Sequence, residues 1–135
     1  MIKPFVFDTN SLISANLSPN SVNRQAYDKA RELGITVYSD ETLAEFIEVF
    51  NRSKFDKYVS QQSRNRAINA FENSGQHIQV FTHVDICRDK KDNKFLELAL
   101  DVNAACIITG DHDLLVLHPF KQIPILTAAA FLKIF

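Results

Sequence analysis

The chain has 135 residues, of which 46% are hydrophobic and 23% are charged, and its formal net charge is −1. This composition is that of a globular protein and excludes a disordered or membrane-spanning chain, because no apolar run approaches the ~20 residues needed to cross a bilayer. The balanced charge argues against tight, indiscriminate binding of nucleic acid. We therefore expect a single domain over residues 1–135 that stays in the cytoplasm, away from membranes.

The first half of the chain alternates strand patterns with helix patterns. Ile2–Phe7 is a short apolar run that predicts a buried strand, and Asp8-Thr9-Asn10 predicts a polar loop or the start of a helix after it. Capping residues and apolar spacing predict the next elements in this half. They are a helix begun by Asn20 or Ser21 and ended by Gly34, a strand over 35–38, a helix from Ser39 or Asp40 to about Phe50, and a polar helix over 60–74.

The second half continues the same alternation. Its predicted elements are a strand over 78–81, a helix from Asp92 to Val102, a strand over 104–109, a strand near 123–126 and a helix from Thr127. Strands that alternate with helices require crossover connections, and these produce a parallel sheet covered on both faces. The predicted fold class is therefore α/β.

Carboxylates follow two of the predicted strands. Asp8 comes directly after the first strand, and Asp111 and Asp113 follow the fourth. In open α/β sheets, sites form beyond the carboxyl ends of the strands where the strand order reverses, so these acids are candidate site residues. Aspartate is also a common turn and cap residue, and each of the two positions taken alone is equally consistent with that structural role.

A further candidate stands at the start of the helix that follows residue 91. Asp92 shares a helical face with Phe95 and Ala99, which belong to the apolar stripe, so its carboxylate is expected to project towards that buried stripe. Stabilising the helix dipole is the alternative role. Asp89 is better explained as a cap or loop acid.

The glutamates of the helix over residues 40–50 are harder to assign. Glu41, Glu45 and Glu48 lie on the face opposite its apolar stripe, and periodicity alone predicts that all of them are solvated. Nothing in the spacing favours one of the three.

A cluster of carboxylates has a definite chemical use. Carboxylates that are brought together repel one another unless protons or cations offset their charge. Oxygen ligands favour one or two Mg²⁺ or Mn²⁺ ions, and Cys87 and Cys106 lack the spacing of a zinc site. Such a site suits metal-assisted hydrolysis of a phosphodiester bond.

Four motifs together resemble the PIN-domain family, specifically its VapC-type toxin subgroup. They stand in the family's order over most of the chain. The first is Asp8-Thr9-Asn10 after a strand, and the second is Ser39-x-Glu41-Thr42-Leu43-x-Glu45 with Arg52-Ser53-Lys54-Phe55 after the helix. The third is Asp92-Asn93-Lys94-Phe95-Leu96-x-Leu98-Ala99, and the fourth is Ile108-Thr109-Gly110-Asp111-x-Asp113-Leu114-Leu115. The resemblance implies a three-layer α/β/α sandwich with a central, mainly parallel sheet. It also implies an endoribonuclease that depends on Mg²⁺ or Mn²⁺, forms homodimers, and is blocked by an antitoxin partner.

The same resemblance implies residue roles. The metal ligands that it implies are Asp8, Glu45, Asp92 and Asp111, with Asp113 as a supporting or fifth acid. Asn10 and Thr109 match polar positions that orient ligands or water by hydrogen bonding.

Basic residues are concentrated between positions 51 and 66. Arg52 and Lys54 follow the helix that carries Glu45, so we predict that they contact RNA phosphates, and Arg64 and Arg66 extend that track. A solvated helical surface is an equally good explanation, since long cationic side chains usually face water.

Two other functions have different requirements. A receiver-like signalling domain, also α/β and Mg²⁺-binding, needs an acidic pair near the first strand and a lysine after a late strand. Here only Asp8 follows the first strand, and no lysine follows Ile108-Thr109. A non-catalytic RNA- or protein-binding module on the same fold stays open, and measuring cleavage with Asp8→Asn distinguishes it from an enzyme.

Overall fold

The computed structural model describes residues 2–135 and contains one five-stranded sheet. All strand pairs are parallel and the spatial order is β3-β2-β1-β4-β5. The strands are β1 Lys3–Phe7, β2 Gly34–Tyr38, β3 Gln76–His77, β4 Cys106–Ile108 and β5 Ile125–Leu126. The helices are α1 Thr9–Leu17, α2 Val22–Leu33, α3 Asp40–Phe50, α4 Gln61–Ser74, α5 Asn93–Val102, α6 His112–Leu115 and α7 Ala128–Ile134.

Helices cover both faces of this sheet. Successive side chains of a strand point to opposite faces, so Phe5 and Phe7 of β1 enter one core and Val6 enters the other. The first core gathers aromatic side chains from α2, α3, α4 and α7, and the second is built on the apolar stripe of α5. This arrangement confirms the predicted three-layer α/β/α sandwich with a parallel central sheet.

The chain order of the strands reverses at β1. From β1 the chain moves outwards to β2 and β3, and it then returns to the other side of β1 to form β4 and β5. Phe7 pairs with Ile108, so the carboxyl ends of β1 and β4 lie side by side at the same level. The residues that follow these two strands therefore meet at the switch point, where α/β proteins place their sites.

Two predicted elements differ from the structure. The segment after Asp8 forms a complete helix, α1, because the Asp8 side chain caps it by accepting a hydrogen bond from the Ser11 backbone N–H at 2.9 Å. The strand predicted over residues 78–81 is wrong, since β3 covers Gln76–His77 instead. Pairing with β2 stops there because α3 begins at Asp40, directly after β2.

No helix within residues 2–135 has both the length and the apolar character that a membrane-spanning helix requires.

Candidate active site

Asp8 is the most buried acid of the site, with 5% of its surface exposed. It lies between β1 and α1, where its Oδ1 accepts the Ser11 N–H and its Oδ2 accepts a short hydrogen bond from the Thr109 hydroxyl. Burial raises the pKa of Asp8, the two hydrogen-bonded groups lower it, and the nearby Asp111 carboxylate raises it further. Two elements that are far apart in sequence thus hold this carboxylate in one position.

Asp111 and Asp92 face each other beside Asp8. Asp111 caps α6, where its Oδ1 accepts the Asp113 backbone N–H at 2.9 Å. Asp92 occupies the cap position of α5 but accepts no capping hydrogen bond, and its Oδ2 is buried without a hydrogen-bond partner. Burial, followed by the adjacent Asp111 carboxyl, raises the pKa of Asp92 from 3.8 to about 7. This inward orientation is the one that the helical spacing predicts for Asp92.

Glu45 joins the group from α3. Its Oε1 accepts a short hydrogen bond from the Thr9 hydroxyl, and its Oε2 accepts one from the Lys94 ammonium at 2.5 Å. Glu41 and Glu48, by contrast, are exposed, and Glu48 pairs with Arg52. Among the three glutamates of this helix, Glu45 is therefore the one whose carboxylate is held by side chains of other elements.

A cleft of about 480 Å³ connects these acids. Its acidic lining residues are Glu45, Glu48, Asp89, Asp92 and Asp111. A second cleft of about 660 Å³ adjoins it through Asn10 and Asp111 and reaches Asp8. Asn10 is exposed where the two clefts meet, and its side chain makes no hydrogen bond among the contacts within residues 2–135. The two clefts give solvent and ligands access to the acidic group from both sides.

The donor set fits a hard divalent cation. All four acids offer oxygen ligands, and the buried Asp92 Oδ2 has no hydrogen-bond partner among residues 2–135. Among the described residues, however, no three His, Cys, Asp or Glu side chains are already arranged around one ion position. The acids instead accept hydrogen bonds from hydroxyl groups, backbone N–H groups and Lys94. A bound ion would replace some of these donors.

Thr109 and Asp113 differ from the four acids in their contacts. The buried Thr109 hydroxyl donates to Asp8 and accepts the Asp111 backbone N–H at 2.9 Å, so it links two acids. The Asp113 carboxylate pairs with Arg88 at 3.1 Å and borders a separate, largely apolar cleft. The structure thus places Asp113 beside the acidic group rather than within it.

One of the basic residues predicted to contact RNA needs correction. Arg64 is 2% exposed, and its guanidinium pairs with Asp56 at 3.0 Å and with Gln61. It packs into the protein because it begins the buried face of α4, so it is not available to a ligand. Arg66 is exposed on α4 and does not line the acidic clefts.

Arg52 and Lys54 border the cleft that contains Glu45, Asp92 and Asp111. Lys91 borders this cleft too. The sequence patterns gave no role to Lys91, Lys94 or Thr9. All three adjoin or fall within the acidic motifs, and that position is the signal that could have identified them.

Comparison with known proteins identifies the family. The family model described as "PIN domain" matches residues 4–113. The uncharacterized protein MJ1680 of Methanocaldococcus jannaschii is 35% identical over 115 residues, which are 84% of this chain and 74% of that protein.

Two solved structures share the fold at low sequence identity. One is VapBC2 from Rickettsia felis bound to a DNA fragment from their promoter, with a TM-score of 0.57, 16% identity and coverage of 91% of this chain and 96% of that one. The other is the Mycobacterium tuberculosis VapC20, a sarcin-ricin loop cleaving toxin, with a TM-score of 0.57, 10% identity and coverage of 90% and 99%. With the family model matching most of its length, the chain belongs to the PIN-domain family.

Proposed function

We propose that this protein is an endoribonuclease that hydrolyses RNA phosphodiester bonds with Mg²⁺ or Mn²⁺. The observation that carries the proposal is the meeting of Asp8, Asp92 and Asp111 at the switch point of the sheet, with a buried carboxylate oxygen that lacks a partner. Keeping such a group together is electrostatically costly, and a site that binds cations offsets the cost.

The proposed ligands are Asp8, Glu45, Asp92 and Asp111. A divalent cation bound there supplies Lewis-acid chemistry, because it polarises the phosphodiester and lowers the pKa of water. Thr109 fixes the Asp8 carboxylate through its hydroxyl. Asp113 supports the site indirectly, because its backbone N–H binds Asp111 while its side chain is held by Arg88. The exposed Asn10 is proposed to hydrogen-bond the substrate or water.

RNA is the proposed substrate because cationic groups border an acidic, cation-binding cleft. Arg52, Lys54 and Lys91 lie on the rim of the cleft that contains three of the acids. Phosphate contacts from such residues position a strand without reading its sequence. The M. tuberculosis relative of this fold cleaves the sarcin-ricin loop, which is compatible with an RNA substrate here.

A toxin role with a protein partner is a further part of the proposal. One structure that shares the fold is that of VapBC2 from R. felis. We propose that this chain is a homodimeric toxin component held inactive by an antitoxin, with no membrane contact. Co-expression with the product of the neighbouring open reading frame, followed by co-purification and inhibition assays, tests this assignment.

The decisive experiment is cleavage of a mixed single-stranded RNA pool in the presence of Mg²⁺, Mn²⁺ or EDTA. We expect metal-dependent cleavage by the unmodified protein and a loss on the order of a hundredfold or more in Asp92→Asn. Asp85→Asn is the matched control, because Asp85 is an exposed acid outside the clefts. Circular dichroism of each variant verifies folding.

A second pair of variants tests the glutamate assignment. Glu45→Gln should abolish cleavage, whereas Glu41→Gln, on the same helix but exposed, should keep it. If folded unmodified protein binds RNA but cleaves none with either metal, the non-catalytic binding module is the better description. Equal losses in both glutamate variants would argue against the proposed ligand set.

A further inference from the structure

Lys94 is the one cation that contacts a proposed metal ligand within residues 2–135. Its Nζ lies 2.5 Å from the Glu45 Oε2, and the pair joins α5 to α3 across 49 positions of sequence. Both side chains are largely enclosed, with 14% of Lys94 and 22% of Glu45 exposed. An enclosed pair of this kind is screened much less by solvent than the surface pair of Arg52 and Glu48.

The acids of the site differ in the partners that the protein gives them. Asp8 is held by the Thr109 hydroxyl, and Asp92 is raised to a pKa of about 7 beside Asp111. Glu45 receives a full positive charge from Lys94 instead. An ammonium and a divalent cation cannot share the same carboxylate oxygen at close range without strong repulsion.

Lys94 also borders a second acidic cleft. This cleft of about 210 Å³ is lined by Lys94 together with Asp40, Glu41 and Glu97, of which Asp40 pairs with His77 and Glu97 accepts the Val84 backbone N–H. Glu41 is exposed and forms no ion pair among the described residues. A lysine that leaves Glu45 therefore finds negative charge within its own cleft, so leaving need not strand a charge in an apolar environment.

We propose that Lys94 is a positioning residue that occupies Glu45 in the ion-free protein and moves to the neighbouring acidic cleft when a divalent cation binds. This inference rests on the proposed function, because it takes Glu45 to be a ligand of the cation. Lys94 keeps Glu45 oriented and the site folded without metal, and its competition lowers the affinity of the site for metal.

Metal binding tests the competition directly. Titration calorimetry with Mn²⁺ should give a Kd for Lys94→Met that is lower by on the order of tenfold, because a competing cation is removed. Methionine keeps the packing of the lysine stem. Lys57→Met is the matched control, since it removes an equal charge from an exposed lysine that lines neither acidic cleft, and its Kd should change by about twofold at most. An unchanged or weakened affinity in Lys94→Met would overturn the competition.

Chemical labelling tests the movement in the unmodified protein, whatever the stability of the variants. Amine acetylation, mapped by peptide mass spectrometry, should be slow at Lys94 without metal and several-fold faster with saturating Mg²⁺ or Mn²⁺. Exposed Lys57 and Lys133 serve as internal references whose rates stay constant. In Glu45→Gln, Lys94 should already react quickly without metal. Equal Lys94 rates with and without bound metal would refute the movement.

The results also separate this inference from the proposed function. If the unmodified protein binds no divalent cation, both fail. If it binds metal and cleaves RNA while Lys94→Met shows an unchanged Kd, only the role of Lys94 fails.

Discussion

At the scale of single residues, Asp92 bears an electrostatic cost, because burial and the Asp111 carboxyl both disfavour its charged form. Its pKa is raised to about 7, so the folded protein holds a proton there that the unfolded chain releases near its ordinary value of 3.8. Between these two values the folded state binds more protons than the unfolded state, so stability falls as pH rises through this window. Above about pH 7 the cost is fully present.

This sign gives a measurable pH dependence. Urea denaturation of the metal-free protein should show the free energy of unfolding decreasing from pH 5 to pH 8, by on the order of 1 kcal/mol after allowance for solvent screening. Asp92→Asn cannot titrate, so its decrease should be smaller by that amount. Saturating Mn²⁺ should remove most of the difference, because a bound cation favours the charged form. Parallel curves for both proteins would show that Asp92 is not the group responsible.

Thr109 provides a second test at this scale, because one hydroxyl links Asp8 to the loop that carries Asp111. Thr109→Val preserves the shape of the side chain but leaves the Oδ2 of the buried Asp8 carboxylate without its donor. We expect a loss of about 1–3 kcal/mol in the free energy of unfolding, measured with urea. Thr109→Ser keeps the hydroxyl and should lose about 1 kcal/mol or less. Equal losses would point to packing of the methyl group instead.

At the scale of elements, the helix caps and strand patterns could be predicted from the sequence. Ser21, Ser39 and Thr127 cap the helices that they were expected to begin or precede, because their hydroxyls accept backbone N–H groups in the first turn. Helix α1 could not be predicted as fully, because it is buried on several sides and shows no single apolar stripe. Its buried residues are Thr9, Ser11, Leu12, Ile13 and Ala15.

A site residue could be predicted from the sequence only where the evidence for it came from residues nearby in the chain. Asp92 could be identified because its helical spacing already placed it towards the core. Glu45 could not be separated from Glu41 and Glu48 by periodicity, because its partners Thr9 and Lys94 come from distant elements. The burial of Arg64 was missed for the same reason, since its ion pair with Asp56 becomes visible only after the chain has folded.

The pairing of β1 with β2 depends on a close approach at Gly34. A Cβ atom added there would lie 2.0 Å from the Lys3 carbonyl oxygen, which is backbone and cannot move aside without breaking the strand pair. Gly34→Ala should therefore lower the free energy of unfolding by more than about 2 kcal/mol, as measured by urea denaturation. Gly110→Ala is the control, because a Cβ at Gly110 meets no atom within 4 Å, and its stability should change by about 0.5 kcal/mol at most.

At the scale of the whole molecule, the net charge is small, but cationic side chains are grouped at the rim of the acidic cleft. The net charge is −1, so the protein as a whole does not attract RNA, and the proposed RNA binding relies on the cationic rim of the acidic cleft. This rim consists of Arg52, Lys54 and Lys91. Three cationic residues can make only a few phosphate contacts. We therefore expect the choice of RNA to depend on the shape of the RNA more than on its charge.

The dependence of RNA binding on salt tests this distribution. For single-stranded RNA, the logarithm of the binding constant should fall with the logarithm of salt concentration with a slope of about −0.7 for each phosphate contact, or about −2 for three contacts. Lys54→Gln should reduce the slope by about 0.7, whereas Lys57→Gln, three positions later and outside the cleft, should leave it unchanged. Fluorescence anisotropy with Asp92→Asn, which we expect not to cleave, as the background measures binding without cleavage. A slope that responds equally to both lysine substitutions would mean that the RNA follows a surface other than this rim.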